Sequence, residues 1–152
     1  MNIEERLASL GILLAVPPVP AGSYIPVVVT GNNLVFVAGQ IPTESGEVKF
    51  KGKLGKDVSI EIGQQGARLC TINALAQLKS ALGSLDKIKR FVKVSGFVNC
   101  DPSFTDQPKV INGASDLLVQ IFGEKGRHAR AALGVSSLPL DSAVEVEFIC
   151  EI

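Results

Sequence analysis

A chain of 152 residues with fifteen basic and fifteen acidic side chains has the length of one domain with a full core. Its charge balance excludes a general electrostatic pull toward nucleic acid or an anionic membrane. With no tryptophan and a single tyrosine, Tyr24, it also lacks the stacked aromatic platform of a single-strand binder.

Cys70, Cys100 and Cys150 are far apart and share the chain with one histidine, His128. That set suits neither a disulfide framework nor a zinc site, so buried thiols in a reducing compartment are expected. Hydrophobic residues make up 46% of the chain and charged ones 20%. This is rich for the size and leaves room for a buried subunit interface.

Residues 1–20 read as an N-terminal helix and a proline-rich extension. Ile3, Leu7 and Leu10 share one helical face and Gly11 ends the helix. Pro17, Pro18 and Pro20 make the following piece a loop or sheet edge. The apolar stretch 10–20 is preceded by Glu4 and Glu5 and cut by prolines, unlike a secretory signal. No apolar run has the length of a membrane span. A cytoplasmic location is the expectation.

Tyr24–Thr30 and Leu34–Ala38 read as strands joined across Gly31-Asn32-Asn33. The second is apolar on both faces, the pattern of a strand covered on both sides. Gly39 is expected to end it where another group approaches the backbone. Thr43–Gly46 reads as a turn, and Glu47–Lys53 as an exposed strand. Asp57 or Ser59 can cap a helix running to about Leu82, with Leu69, Ile72, Leu75, Ala76, Leu78 and Leu82 on its apolar face. Gly63 and Gly66 each cost that helix about 1 kcal/mol against alanine, which points to close approach of a neighbour. Gly83 ends the helix, and Ser84–Ile88 is a short turn. Phe91–Asn99 reads as a strand with Val92, Val94 and Val98 on one face. A second long helix runs from Gln107 or Pro108 to Phe122, closed by Gly123 and Gly126.

The stretch from His128 to Ile152 reads as a hairpin, two strands joined by a Ser/Pro/Asp turn. Strand alternation puts His128, Arg130, Ala132 and Gly134 on one face of the first strand. It puts Glu145, Glu147, Ile149 and Glu151 opposite Val144, Val146, Phe148 and Cys150 in the second. If the two strands pair, His128, Arg130, Glu145 and Glu147 share a face and Arg130 meets a carboxylate. On a solvated sheet such an ion pair contributes under about 1 kcal/mol. Two long helices and about six strands in mixed order suggest an α+β domain spanning residues 1–152, its helices on one face of a mixed sheet. The other sheet face then needs cover, most economically from another copy of the chain.

The strand end Val37-Ala-Gly-Gln-Ile41, the motif His128-Ala-Arg130, Leu138-Pro139 and Val144-Glu-Val-Glu147 together resemble the Rid/YjgF family over nearly the whole chain. The resemblance implies a chorismate-mutase-like fold and a homotrimer whose sheets form a central barrel with a cleft at each subunit interface. It implies cofactor-free hydrolysis of amino-acid-derived enamines or imines to a 2-keto acid and ammonia. Arg130 matches the arginine that binds the substrate carboxylate, and Glu145 the carboxylate that handles water. Tyr24 falls at the cleft mouth, Gly39 where backbone approaches ligand, and Ala132 where a backbone N–H is offered. Asn112 falls near a polar helix residue of the cleft, at a different spacing. His128 stands where archetypal members carry a small residue; on the polar face it reads as a hydrogen-bonding wall residue, with a proton shuttle near neutral pH as the alternative. Ala131 and Ala132 replace the serine and cysteine common in those members. A non-catalytic sensor of small carboxylates is the rival reading. A ribonuclease role draws no support from the balanced charge and scarce aromatics.

Overall fold

A computed structural model describes residues 1–17, 19–20 and 22–152; Pro18, part of the expected extension, lies outside them. Among the described residues there are three α-helices, α1 (Ile3–Ser9), α2 (Ile60–Leu82) and α3 (Gln107–Phe122). The strands are β1 (Val27–Val29), β2 (Leu34–Gln40), β3 (Thr43–Glu44), β4 (Glu47–Val48), β5 (Arg90–Asn99), β6 (Ala129–Val135) and β7 (Val144–Glu151). Five of them form a mixed sheet in the order β1-β2-β7-β5-β6, and β3 and β4 form a separate ribbon. Within the five-stranded sheet only β5 and β6 run parallel.

Local chemistry sets the helix ends. The Ser59 hydroxyl accepts from the Ile62 N–H at 3.2 Å to start α2, and Gly83 at φ 82° ends it in the left-handed region. The two long helices pack side by side on one face of the sheet, and α2 buries Cys70, Ala74, Leu75 and Leu78. Their separation is set by glycine. A Cβ on Gly63 would come within 2.9 Å of Val110 Cγ1, and one on Gly113 within 2.2 Å of the Gln64 carbonyl oxygen. The close approach expected at Gly63 is therefore present. Gly113 carries the tighter crossing.

The largest departure from the sequence reading is at the C-terminal hairpin. β6 and β7 are not neighbours, because β5 lies between them. β5 has ten residues, and its Phe91, Val94 and Val98 are fully buried. β6 is built from small residues and is half-exposed. The longest strand, with Phe91, Val94 and Val98 in the core, takes an interior place, and the strand rich in alanine takes the edge. The connection from β6 to β7 is pinned across the end of the sheet by Asn99, whose Nδ2 donates to the carbonyls of Gly52 and Ser142, each at 3.1 Å.

Smaller corrections have equally local causes. Pro26 lacks an N–H, and the expected strand 24–30 shrinks to Val27–Val29. Gly39 does not end its strand. Val37 pairs with Phe148 and Gln40 with Val146, so a bulge carries β2 through Ala38 and Gly39. The turn expected at Thr43–Gly46 is the tip of the β3–β4 ribbon, with Ser45 and Gly46 at φ 53° and 80°, as a type I′ turn requires. Strand pairing beyond it covers Glu47–Val48 rather than 47–53. A register shift between Phe91 and Lys93 puts Phe91, instead of Val92, on the face of Val94 and Val98.

The sheet face away from α2 and α3 is open. Val28 and Phe36 pair across β1 and β2 there, and Phe36 is 42% and Leu133 on β6 53% exposed. The two-sided cover expected for β2 is thus half supplied by this chain. Among the described residues no helix is long and apolar enough to cross a membrane.

Gly113→Ala should lower stability by about 2 kcal/mol, because a methyl group there meets rigid backbone. Urea denaturation reads this directly. A midpoint shift equivalent to under about 0.5 kcal/mol would show that α2 and α3 part without penalty.

Candidate functional site

β6 lies parallel to β5 in the register Val94↔Arg130, and Val94 pairs on its other side with Phe148. Adjacent residues in register share a sheet face. Arg130 therefore points to the side of Phe148 and α3. There its Nη1 donates to Asn112 Oδ1 at 2.8 Å and to Ser115 Oγ at 3.2 Å. Asn112 and Ser115 are three residues apart on α3 and so lie on one stripe.

His128 joins the same group. Its Nδ1 is 2.6 Å from the Gly126 carbonyl and its Nε2 is 2.8 Å from Ser115 Oγ. A carbonyl can only accept, so Nδ1 carries the hydrogen and Nε2 of the neutral ring accepts from the serine hydroxyl. Burial lowers the His128 pKa below its ordinary value. The Gly126 hydrogen bond opposes this, and the Arg130 charge adds to it. Ala132 lies on the same face, in register with Gly96, and packs partly against the core.

Glu145 belongs to a different place. Its register partner on β5 is Phe97, which pairs in turn with Leu133, on the open sheet face. The carboxylate lies over the β2 bulge. A Cβ on Gly39 would be 2.3 Å from Glu145 Oε2, so glycine there makes the room this side chain occupies. Glu145 is half-buried and makes no hydrogen bond or ion pair among the described residues. Burial, and secondly the neighbouring Glu147, raise its pKa.

The Arg130–Glu145 contact expected from a hairpin is absent. The two side chains lie on opposite faces of the sheet, with β5 between their strands. The candidate residues form two clusters: Arg130, Asn112, His128 and Ala132 at the β6 edge, and Glu145 with Gly39 at the bulge. Tyr24 goes with the second. It is 54% exposed and lines a cavity of about 1050 Å³ together with Gly39, Gln40, Leu69 and Ile72. Ser115 was not singled out from sequence. The available signal was a second polar residue one turn from Asn112, between the apolar positions Ala114 and Leu118.

All three cysteines are buried and unpaired, and burial pushes Cys150 up to about 12. Among the described residues no group of three histidine, cysteine or acidic side chains is placed to hold a metal ion.

The family model described as "YjgF/chorismate_mutase-like, putative endoribonuclease" matches residues 4–152. Protein TCP17 of Trypanosoma cruzi is 44% identical over 152 residues, covering 99% of this chain and 94% of that one. The crystal structure of Atu1372 from Agrobacterium tumefaciens is 48% identical with a TM-score of 0.90, over 99% of this chain and 94% of that one. The chain belongs to the Rid/YjgF family.

A RutC family protein of Pyrococcus abyssi is 34% identical over 87% of this chain and 88% of its own length. The Rid/YjgF fold thus carries, in this chain, an arginine cluster at one sheet edge and, on the open face, a carboxylate with no hydrogen bond or ion pair among the described residues.

The raised pKa of Glu145 means that the fold favours its protonated form. The ionised carboxylate therefore costs stability at neutral pH. That cost is absent below the ordinary value of 4.5 and develops as pH rises through the folded value. Glu145→Gln should melt higher than wild type at neutral pH, with the difference closing toward pH 4.5. A thermal shift independent of pH would contradict this account.

Proposed function

We propose that this Rid/YjgF protein is a cofactor-free hydrolase of amino-acid-derived enamines and imines. In this reading it works as a homotrimer, with Arg130 of one copy and Glu145 of the next facing a shared interface cleft. The observation that carries the reading is the separation of the two clusters. Among the described residues Arg130 has guanidinium donors without partners and Glu145 is a half-buried carboxylate without a hydrogen bond or ion pair, yet one chain holds them on opposite sheet faces. A second copy docked on the open apolar face supplies the missing half of each.

The chemistry suits the groups. Arg130 grips the substrate carboxylate through charge-assisted hydrogen bonds and offsets its negative charge beside the C=N carbon. Glu145, with its raised proton affinity, takes a proton from water as the water oxygen bonds to that carbon. The nitrogen is protonated, the C–N bond of the resulting carbinolamine breaks, and ammonia leaves as the C=O bond forms. The sum is imine plus water giving 2-keto acid plus ammonia. Gly39 keeps the space over the bulge open for Glu145, and Tyr24 lines the adjoining cavity.

Ala131 and Ala132 supply no polar side chain beside Arg130. This favours, as the second reading, a binding protein for small carboxylates that uses the same cleft.

Keto-acid release from freshly generated 2-imino acids separates the two readings. Wild type should exceed buffer, and Arg130→Ala should lose on the order of 100-fold in kcat/KM. Light scattering should give three times the chain mass. A stable monomer, or a folded trimer without turnover, would remove the hydrolase reading.

A further inference from the structure

Arg130 does not stand alone at the end of a side chain. Its Nη1 has two hydrogens, and both are engaged, one by Asn112 Oδ1 at 2.8 Å and one by Ser115 Oγ at 3.2 Å. Nε and Nη2 make no hydrogen bond among the described residues. The serine hydroxyl is itself oriented. The Gly126 carbonyl fixes the proton on His128 Nδ1, so Nε2 accepts the Ser115 hydroxyl hydrogen at 2.8 Å and the oxygen lone pairs turn to Arg130. The chain of donors runs one way, from Arg130 to Ser115 to His128, while His128 is anchored separately to Gly126.

We propose that Ser115 and His128 are positioning residues that, with Asn112, saturate Arg130 Nη1 and leave the Nε–Nη2 edge as the face that grips a ligand carboxylate. This rests on the assignment of Arg130 as the carboxylate anchor and adds how it is aimed. A carboxylate approaching end-on across Nη1 and Nη2 would have to displace Asn112 or Ser115. A side-on approach keeps both hydrogen bonds and still makes two parallel N–H···O contacts. The ligand that fits is a small 2-oxo or 2-imino acid held by one planar carboxylate.

Neutral His128 is part of the device. Arg130 on β6 bears on the ring with its charge. The other ionisable side chains of α3 and of the 123–126 turn, Lys109, Asp116, Glu124 and Lys125, are exposed. Protonation gives Nε2 a hydrogen, and Ser115 can no longer donate to it. The hydroxyl must turn and give a lone pair to the imidazolium, so the acceptor it offers Arg130 is no longer oriented by His128.

Calorimetric titration with 2-oxobutyrate tests this on the full chain. Ser115→Ala and His128→Ala should each weaken binding about tenfold, the worth of one oriented hydrogen bond. Ser115→Thr keeps a hydroxyl and His128→Gln can keep an acceptor near Nε2, so both should stay within about twofold of wild type. With imine substrate the loss should appear in KM, with kcat nearly unchanged. Wild-type affinity should also fall at acid pH, at a point below imidazole's ordinary value of about 6.5 because burial lowers the His128 pKa, and His128→Gln should lack that limb while keeping any due to Glu145. This pH comparison needs no alanine variant to fold. Binding abolished by Arg130→Ala but unaltered in folded Ser115→Ala and His128→Ala would overturn the positioning role alone. The same pH limb in wild type and His128→Gln would also overturn it. No carboxylate binding by wild type at all would overturn the Arg130 assignment and this proposal together.

Discussion

The register of β5 with its two neighbours decides where every candidate side chain faces. β5 meets β6 in parallel and β7 antiparallel, so Val94 aligns with both Arg130 and Phe148, while Phe97 aligns with both Leu133 and Glu145. A slip of one residue on either side would move the arginine to the open face or the carboxylate into the core. The burial of Phe91, Val94 and Val98 against α3 and Phe148 guards against that slip, since each would be driven out of the core. Fold stability and placement of the charged groups thus follow from one alignment.

The helices complete the arrangement. α3 can bring Asn112 and Ser115 over β6 because its far side packs onto α2 at glycine contacts too close for any other residue. On the other side of the sheet, the bulge through Ala38 and Gly39 opens the ladder beneath Glu145. In both places a residue without a side chain makes room for one that carries chemistry. The arginine side is rich in hydrogen bonds. The Glu145 side chain makes none among the described residues, which is consistent with its raised proton affinity.

Much of this was legible in the sequence because it is local. Ser59, Gly83 and Gly123 mark the ends of α2 and α3 where cap chemistry places them. The alternation in β7 sorts its faces correctly, and His128 and Arg130 do share a face. What could not be read is pairing between distant segments. Nothing between residues 128 and 152 announces that residues 90–99 will lie between the two strands, and two strands read in isolation default to a hairpin. The bulge at Gly39 and the shift at Val92 are hidden for the same reason, since each is defined against a partner strand. Ser115 was missed because a single serine in a helix carries no pattern. Its meaning comes from the imidazole and guanidinium that the fold brings to it.

The open sheet face has a thermodynamic consequence. Val28, Phe36 and Leu133 remain partly in water in the single chain, so the free energy of hiding them belongs to whatever binds there rather than to folding of the chain alone. Folding and association are then linked by mass action. A covering partner that recognises the folded sheet and not the unfolded chain pulls the folding equilibrium toward the native state, increasingly so with concentration. Under the proposed trimer, resistance to heat and denaturant would be a property of the solution as well as of the sequence, and dilution would act as a mild denaturant.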